Sequence, residues 1–174
     1  MTTLSEDVRH TIRDIPDFPK DGVLFKDITP VLARPDLMTG IFDWMAAEYR
    51  GQGVATVVGM ESRGFFFGPA VAERLGAGFA PARKAGKLPH ATSGVAYKLE
   101  YGTASLEMHV DAIKPGTKVI IVDDLLATGG TAKAAVDLVR RLGGEPIAAC
   151  FLIELGFLGG RQALDLPVRS LVIY

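Results

Sequence analysis

The stretch VIIVDDLLATGGTAKAA, residues 119–135, constrains this chain more than any other. Four apolar residues in a row cannot lie on a half-solvated strand, which would alternate, so they read as a strand buried on both faces. The run ends in two adjacent acids, Asp123 and Asp124, and a glycine pair separates them from a helical pattern. Two side-by-side carboxylates are costly inside a core. They therefore belong at the carboxyl end of the strand, where an open parallel sheet places its ligands.

The remaining pattern agrees with such a sheet. VATVVGM, from Val54, is a second short apolar run, with ESRG where it ends. A helix is predicted from about Gly68 to Leu75, stopped by Gly76, and GFAPA follows as a strand. Thr131 to Leu142 reads as a helix closed by Gly143 and Gly144; PIAACFLIE is a further buried strand. A short helix over about residues 157–164 and a last strand over 169–174 complete the body. Strand, helix, strand, helix, strand gives an α/β fold with a central parallel sheet covered by helices on both faces. Earlier in the chain, residues 3–10 suit a short helix, and Pro35 opens one that runs to about Tyr49 with Leu37, Ile41, Trp44 and Met45 on one face. Residues 12–30, with Pro16, Pro19 and Pro30, read as an irregular arm. RKAGKLPHATSG is basic and poor in large apolar groups, so it reads as an exposed, mobile loop. The alternation in VAYKLEYGTASLEMHV predicts two antiparallel strands around residues 101–103, forming an appendage to the sheet.

The chemistry of the opening stretch follows from its order. A helix start offers unbonded N–H groups and a partial positive charge, which suit a phosphate. Gly129 and Gly130 let the backbone approach, and Thr128 and Thr131 add hydroxyl donors. Asp123 and Asp124 are acceptors, fit for vicinal sugar hydroxyls or a hydrated cation. Together the loop describes a ribose 5-phosphate site. It is not a Walker loop, since no lysine follows the glycines, and GAGFAP from Gly76 has proline where a dinucleotide fingerprint needs its third glycine.

Other classes find little support. With 174 residues, 48% of them hydrophobic and 22% charged, the chain is a single globular domain. A formal net charge of -1 supplies no general field for nucleic acid. No apolar window is long enough for a membrane span, and MTTLSEDVRH lacks the pattern of a signal peptide. Cys150 is the sole cysteine, so a reducing, cytoplasmic setting is expected. His10, His90 and His109 share no metal-site spacing, and no GxSxG nucleophile signature is present.

VIIVDDLLATGGT resembles the phosphoribosyl diphosphate (PRPP) binding motif of type I phosphoribosyltransferases. DFPKDGVLFKDITPVL, ESRGFFFGP, RKAGKLP, YKLEYGTASLEMH and IELGFLGGR resemble the adenine-using branch of that family, so the likeness spans about residues 12–164. The resemblance implies a Mg2+-dependent transfer of the 5-phosphoribosyl group from PRPP to adenine, giving AMP and pyrophosphate in purine salvage. It implies one domain over residues 1–174, with a base-binding hood arm at 1–34 and a flexible lid loop and hairpin at 83–109. It assigns PRPP and AMP to Asp123, Asp124, Leu125, Leu126, Ala127, Thr128, Gly129, Gly130 and Thr131, with Arg63, Arg83, Lys84, Lys87 and Tyr101 around the diphosphate. Lys87 could come from a neighbouring subunit. Arg63, Glu100, Asp123 and Asp124 carry the catalytic roles, Glu100 exchanging a proton with the purine. Phe25 and Leu158 flank the adenine, and backbone groups around Val23 to Lys26 read its amino group. The Mg2+ would be held mainly by substrate oxygens and water, so no protein ligand is assigned. A homodimer is implied, with GFFFGP facing either a partner or the core. The alternatives are transfer to guanine, hypoxanthine or xanthine, and a PRPP-sensing regulator that binds DNA.

Overall fold

The computed structural model describes residues 2–98 and 103–174. Helix α1 (Leu4–Thr11) begins with a capping box in which Thr3 and Glu6 satisfy each other's backbone N–H groups. The arm that follows is more ordered than its prolines imply. Strands β1 (Arg13–Ile15) and β2 (Phe25–Asp27) pair antiparallel, and a single helical turn, α2 (Thr29–Leu32), continues from them. Helix α3 (Pro35–Ala47) buries Leu37, Ile41 and Met45, as its spacing predicts, while Trp44 is half-buried.

The body alternates strand and helix: β3 (Val54–Met60), α4 (Gly68–Leu75), β4 (Gly78–Lys84), the hairpin β5 (Thr92–Lys98) and β6 (Thr103–His109), β7 (Lys118–Leu126), α5 (Gly130–Arg141), β8 (Glu145–Glu154) and β9 (Val168–Ile173). Two 3-10 turns, Gly156–Leu158 and Gly160–Ala163, replace the expected helix between β8 and β9. The strands form one seven-stranded sheet in the order β5-β6-β4-β3-β7-β8-β9. The run from β4 to β9 is parallel. The hairpin is therefore part of this sheet rather than an appendage: Arg83 and Lys84 pair with Glu107 and Leu106 of β6. The same pairing draws the two cations out of the expected loop and into β4.

Side chains of the continuous apolar runs divide between two cores. Val57, Ile120, Val122, Cys150 and Leu152 face α1, α3 and α4. Val58, Val119, Ile121, Ala149 and Phe151 face α5 and the hairpin. This is why the runs are apolar without alternation: both faces are covered, and neighbouring residues serve opposite layers. Phe79 of β4 wedges between β3 and α4. A Cβ on Gly59 would lie 2.7 Å from its ring, and one on Gly68 2.4 Å. In GFFFGP the three rings separate: Phe67 is fully buried, Phe65 meets Phe79 edge-on at 5.9 Å, and Phe66 is exposed. The parallel arrangement brings the carboxyl ends of β3, β4, β7 and β8 to one edge of the molecule.

Candidate active site

At that edge a cavity of about 450 Å3 opens between the ends of β3 and β7. Strand β7 runs two residues further than its acids, because Leu125 and Leu126 pair with Ile153 and Glu154 of β8. The turn is therefore residues 127–129, and α5 begins at Gly130, one residue before the predicted start. Gly129 adopts φ +84°, a left-handed conformation that favours glycine. Among the described residues no side chain caps α5. Its first turn faces the cavity, which residues 123–132 all line.

The two acids differ in setting. Asp124 is buried and Asp123 half-buried. Asp123 Oδ1 accepts the backbone N–H of Asp124 at 2.9 Å. Burial, reinforced by the Asp124 charge, holds the Asp123 carboxyl well above the usual carboxylate range; Arg63 opposes this only weakly. Burial also raises Asp124, against the pull of Arg63. Ionising this pair is therefore costly, and a ligand's hydroxyl donors, or a cation, would lower the cost.

Arg63 follows β3 directly, in a 3-10 turn (Arg63–Phe66). Its Nε donates to Asp124 Oδ2 at 2.9 Å, and its guanidinium lies 5.4 Å from the centre of the Phe25 ring. Gly64 allows this approach, since a Cβ there would stand 2.7 Å from the Val122 carbonyl oxygen and 3.0 Å from Asp123 Oδ1. Arg63 does not pair with Glu61. That acid instead accepts both forks of Arg83, at 3.2 and 3.3 Å, and the backbone N–H of Lys84 at 3.0 Å. Burial raises Glu61, yet these donors outweigh it and its carboxyl lies below the usual range. Lys84 lines the cavity. Arg83 is held beside it by Glu61 and by the Lys87 carbonyl at 2.8 Å. Lys87 itself follows the turn at residues 85–86, exposed and outside the cavity. Glu100 and Tyr101 lie outside the described residues.

A second cavity, of about 320 Å3, lies between Gly22, Val23 and Leu24 of the arm and Leu155, Phe157 and Leu158. Phe25, the next residue along the arm, lines neither cavity and stands edge-on to Phe18 at 5.1 Å. The Lys26 side chain is engaged elsewhere: its Nζ lies 2.7 Å from Asp14 Oδ1 and 3.9 Å from the centre of the Tyr174 ring. The structure also adds Met60, Glu61, Ser62, Tyr97 and Ala104 to the first cavity. Glu61 and Ser62 follow an apolar strand, the same signal that marks Asp123 and Asp124. Tyr97 and Ala104 arrive through hairpin pairing and leave no local signature.

An apolar pocket beside acids and a helix start, on a parallel sheet with an antiparallel hairpin at its edge, suits a sugar-phosphate transferase, and the phosphoribosyl transferase domain profile matches residues 28–165. The chain belongs to the phosphoribosyltransferase family, and its similarities fall in the adenine-using branch. Adenine phosphoribosyltransferase of Bradyrhizobium sp. (strain ORS 278) is 51% identical over 175 residues, covering 99% of this chain and 98% of the relative. That of Thermobifida fusca is 53% identical over 171 residues, covering 98% and 97%. The crystal structure of adenine phosphoribosyltransferase from Rhodothermus marinus superposes with a TM-score of 0.94 at 48% identity, covering 98% of each chain. The Saccharomyces cerevisiae enzyme, solved with an imino-altritol bisphosphate and adenine, gives 0.92 at 40% identity, covering 97% of this chain and 98% of that one.

Proposed function

We propose that this chain transfers the 5-phosphoribosyl group of PRPP to adenine, forming AMP and releasing pyrophosphate in purine salvage. The observation that carries this reading is the single cavity in which paired acids, a glycine turn and an open helix start meet Arg63 and Lys84, with an apolar pocket alongside. In the reaction a purine nitrogen bonds to ribose C1 as the C1–O bond to pyrophosphate breaks. The electron pair leaves with the diphosphate, and the purine N–H proton goes to a base. Positive charge grows on the sugar and negative charge on the leaving group, so positioning and electrostatics do most of the work.

Each residue then has a role. The amides and hydroxyls of residues 127–131 hold the 5-phosphate. Asp123 and Asp124 accept from the ribose hydroxyls and stabilise the cation-like sugar. Arg63 and Lys84, with Arg83 and Lys87 behind them, draw off the charge of the departing diphosphate. Phe25 and Leu158 enclose adenine, and main-chain groups of residues 23–26 read its amino edge. Glu100 is the proposed proton carrier, and Tyr101 a contact for the leaving group. Residues 1–34 serve as the base-binding arm, and the loop and hairpin at 83–109 as a lid that excludes water.

Mg2+ fits this site as a visitor brought by the substrate. Among the described residues no group of three or more His, Cys, Asp or Glu side chains is placed to hold a metal. An octahedral ion that keeps its waters and diphosphate oxygens needs no more than the outer help of Asp123 and Asp124. Bound beside Asp123 and Asp124, it would supply positive charge to the departing diphosphate. The exposed Phe66 supports a homodimer contact. The buried thiol of Cys150 suits the cytoplasm. Among the described residues no helix is long and apolar enough to cross a membrane.

Pyrophosphate release from PRPP is to be followed with adenine, guanine, hypoxanthine and xanthine, with and without chelator. Turnover with adenine that stops on Mg2+ removal is the expected result; no turnover with adenine overturns the reading.

A further inference from the structure

The segment between β8 and β9 touches both halves of the site. Leu155, Phe157 and Leu158 line the apolar cavity. A few residues on, the turn Gly160–Ala163 lies against the phosphate loop, backbone on backbone. A Cβ on Gly160 would fall 2.1 Å from the Ala127 carbonyl oxygen, and one on Gly129 2.4 Å from the Gly160 carbonyl oxygen. At such closeness, any movement of this turn is passed to residues 127–129.

The Arg161 side chain ties the turn to the end of β8 and to the start of β9. Arg161 Nε donates to Glu154 Oε1 at 3.1 Å and Nη2 to Glu154 Oε2 at 2.6 Å, while Nη1 donates to the Val168 carbonyl at 2.6 Å. Glu154, at the end of β8, is buried, and its Oε2 also accepts the Ser170 hydroxyl at 2.6 Å. The Arg161 fork holds the Glu154 carboxyl below its usual range, against burial. The planar fork meets two acid oxygens and a carbonyl together, a geometry that lysine cannot reproduce. Neither Glu154 nor Arg161 lines either cavity.

We propose that Arg161, clamped by Glu154, is a positioning residue: it holds the Gly160–Ala163 turn against the phosphate loop and so sets the affinity for the 5-phosphate of PRPP. The proposal rests on the phosphoribosyl-transfer reading above. Its consequences are separable from that reading, because wild-type turnover tests the reaction and the ratio of variant to wild type tests the clamp.

The variants R161M and R161K are to be compared with wild type by steady-state kinetics in each substrate, with thermal melting as control. For R161M the KM for PRPP is expected to rise about tenfold, with kcat changed less than about threefold, since a displaced loop loses ground-state grip before it loses chemistry. The KM for adenine rises less, because Leu158 is one turn removed from the fork. R161K keeps the charge and restores part of the loss. A folded R161M with PRPP KM within about twofold of wild type would overturn the proposal, as would a fall in kcat at constant KM. Should R161M fail to fold, S170A loosens Glu154 alone. It is expected to raise PRPP KM by about two- to fourfold, and an unchanged value there counts against the clamp.

Discussion

The most informative perturbation is Asp123→Asn, because stability and binding should move in opposite directions. Asp123 is nearly isosteric with asparagine, and the amide oxygen retains the 2.9 Å acceptance from the Asp124 N–H. What disappears is a charge that burial and Asp124 both oppose. Removing a carboxylate whose charge is only partly offset is expected to stabilise the ligand-free protein by about 1–2 kcal/mol. For a chain of this size that is roughly 2–8 °C in Tm. Because the folded pKa lies above the unfolded one, the penalty of ionised Asp123 is absent below the unfolded pKa, grows between the two values and is complete above the folded one. The gain in Tm should therefore be present at pH 7 and vanish by about pH 4. Binding should respond the other way. The new amide presents N–H where the sugar presents O–H, and losing a charge-assisted acceptor costs about 1.5–3 kcal/mol, roughly 10- to 150-fold in PRPP affinity. Calorimetry with PRPP reads the second effect, and melts of both proteins at pH 4 and pH 7 the first. A lower Tm at pH 7, together with unimpaired PRPP uptake, would refute the assignment of Asp123 as a strained acceptor kept for the ligand.

Three further outcomes are expected. Phe25→Ala should raise the KM for adenine roughly 5- to 150-fold, about 1–3 kcal/mol of lost stacking, and leave that for PRPP nearly unchanged; equal effects on both would remove the ring from the base site. Gly129→Ala puts a Cβ 2.4 Å from the Gly160 carbonyl at φ +84°, so a loss of about 2 kcal/mol or more should appear in denaturant melts, with PRPP binding impaired as well. Cys150 is fully buried, and burial pushes its thiol up to about 12, so a chromogenic disulfide reagent at pH 8 should leave it intact until the chain unfolds; rapid labelling of native protein would show that this core opens.

Sequence was most informative where local pattern and burial coincide. The runs at β3, β7 and β8, and the helices closed at Gly76 and Gly143, stand almost as their residues dictate, because apolar continuity and a glycine stop are local signals. It was least informative where a distant partner decides. Leu125 and Leu126 look like loop residues until β8 pairs with them. Arg83 and Lys84 look like loop cations until β6 does the same. The arm's three-residue strands are too short for any periodicity and depend on a register set across the intervening loop. At the site, the string of acids, glycines and threonines was legible because each residue type answers to one part of a sugar phosphate. The choice of partners was not: Glu61 takes Arg83, and Asp124 takes Arg63, a pairing fixed only when strand ends meet in space.

The wedge of Phe79 between Gly59 and Gly68 has a consequence for how this sheet edge can vary. The end of β3 and the start of α4 are spaced by one benzene ring, and neither has room for even a methyl group on its own account. Homologues that acquire alanine at either glycine should carry a slimmer residue in place of the ring. Substitution at these three positions should therefore be coupled, since they share one gap.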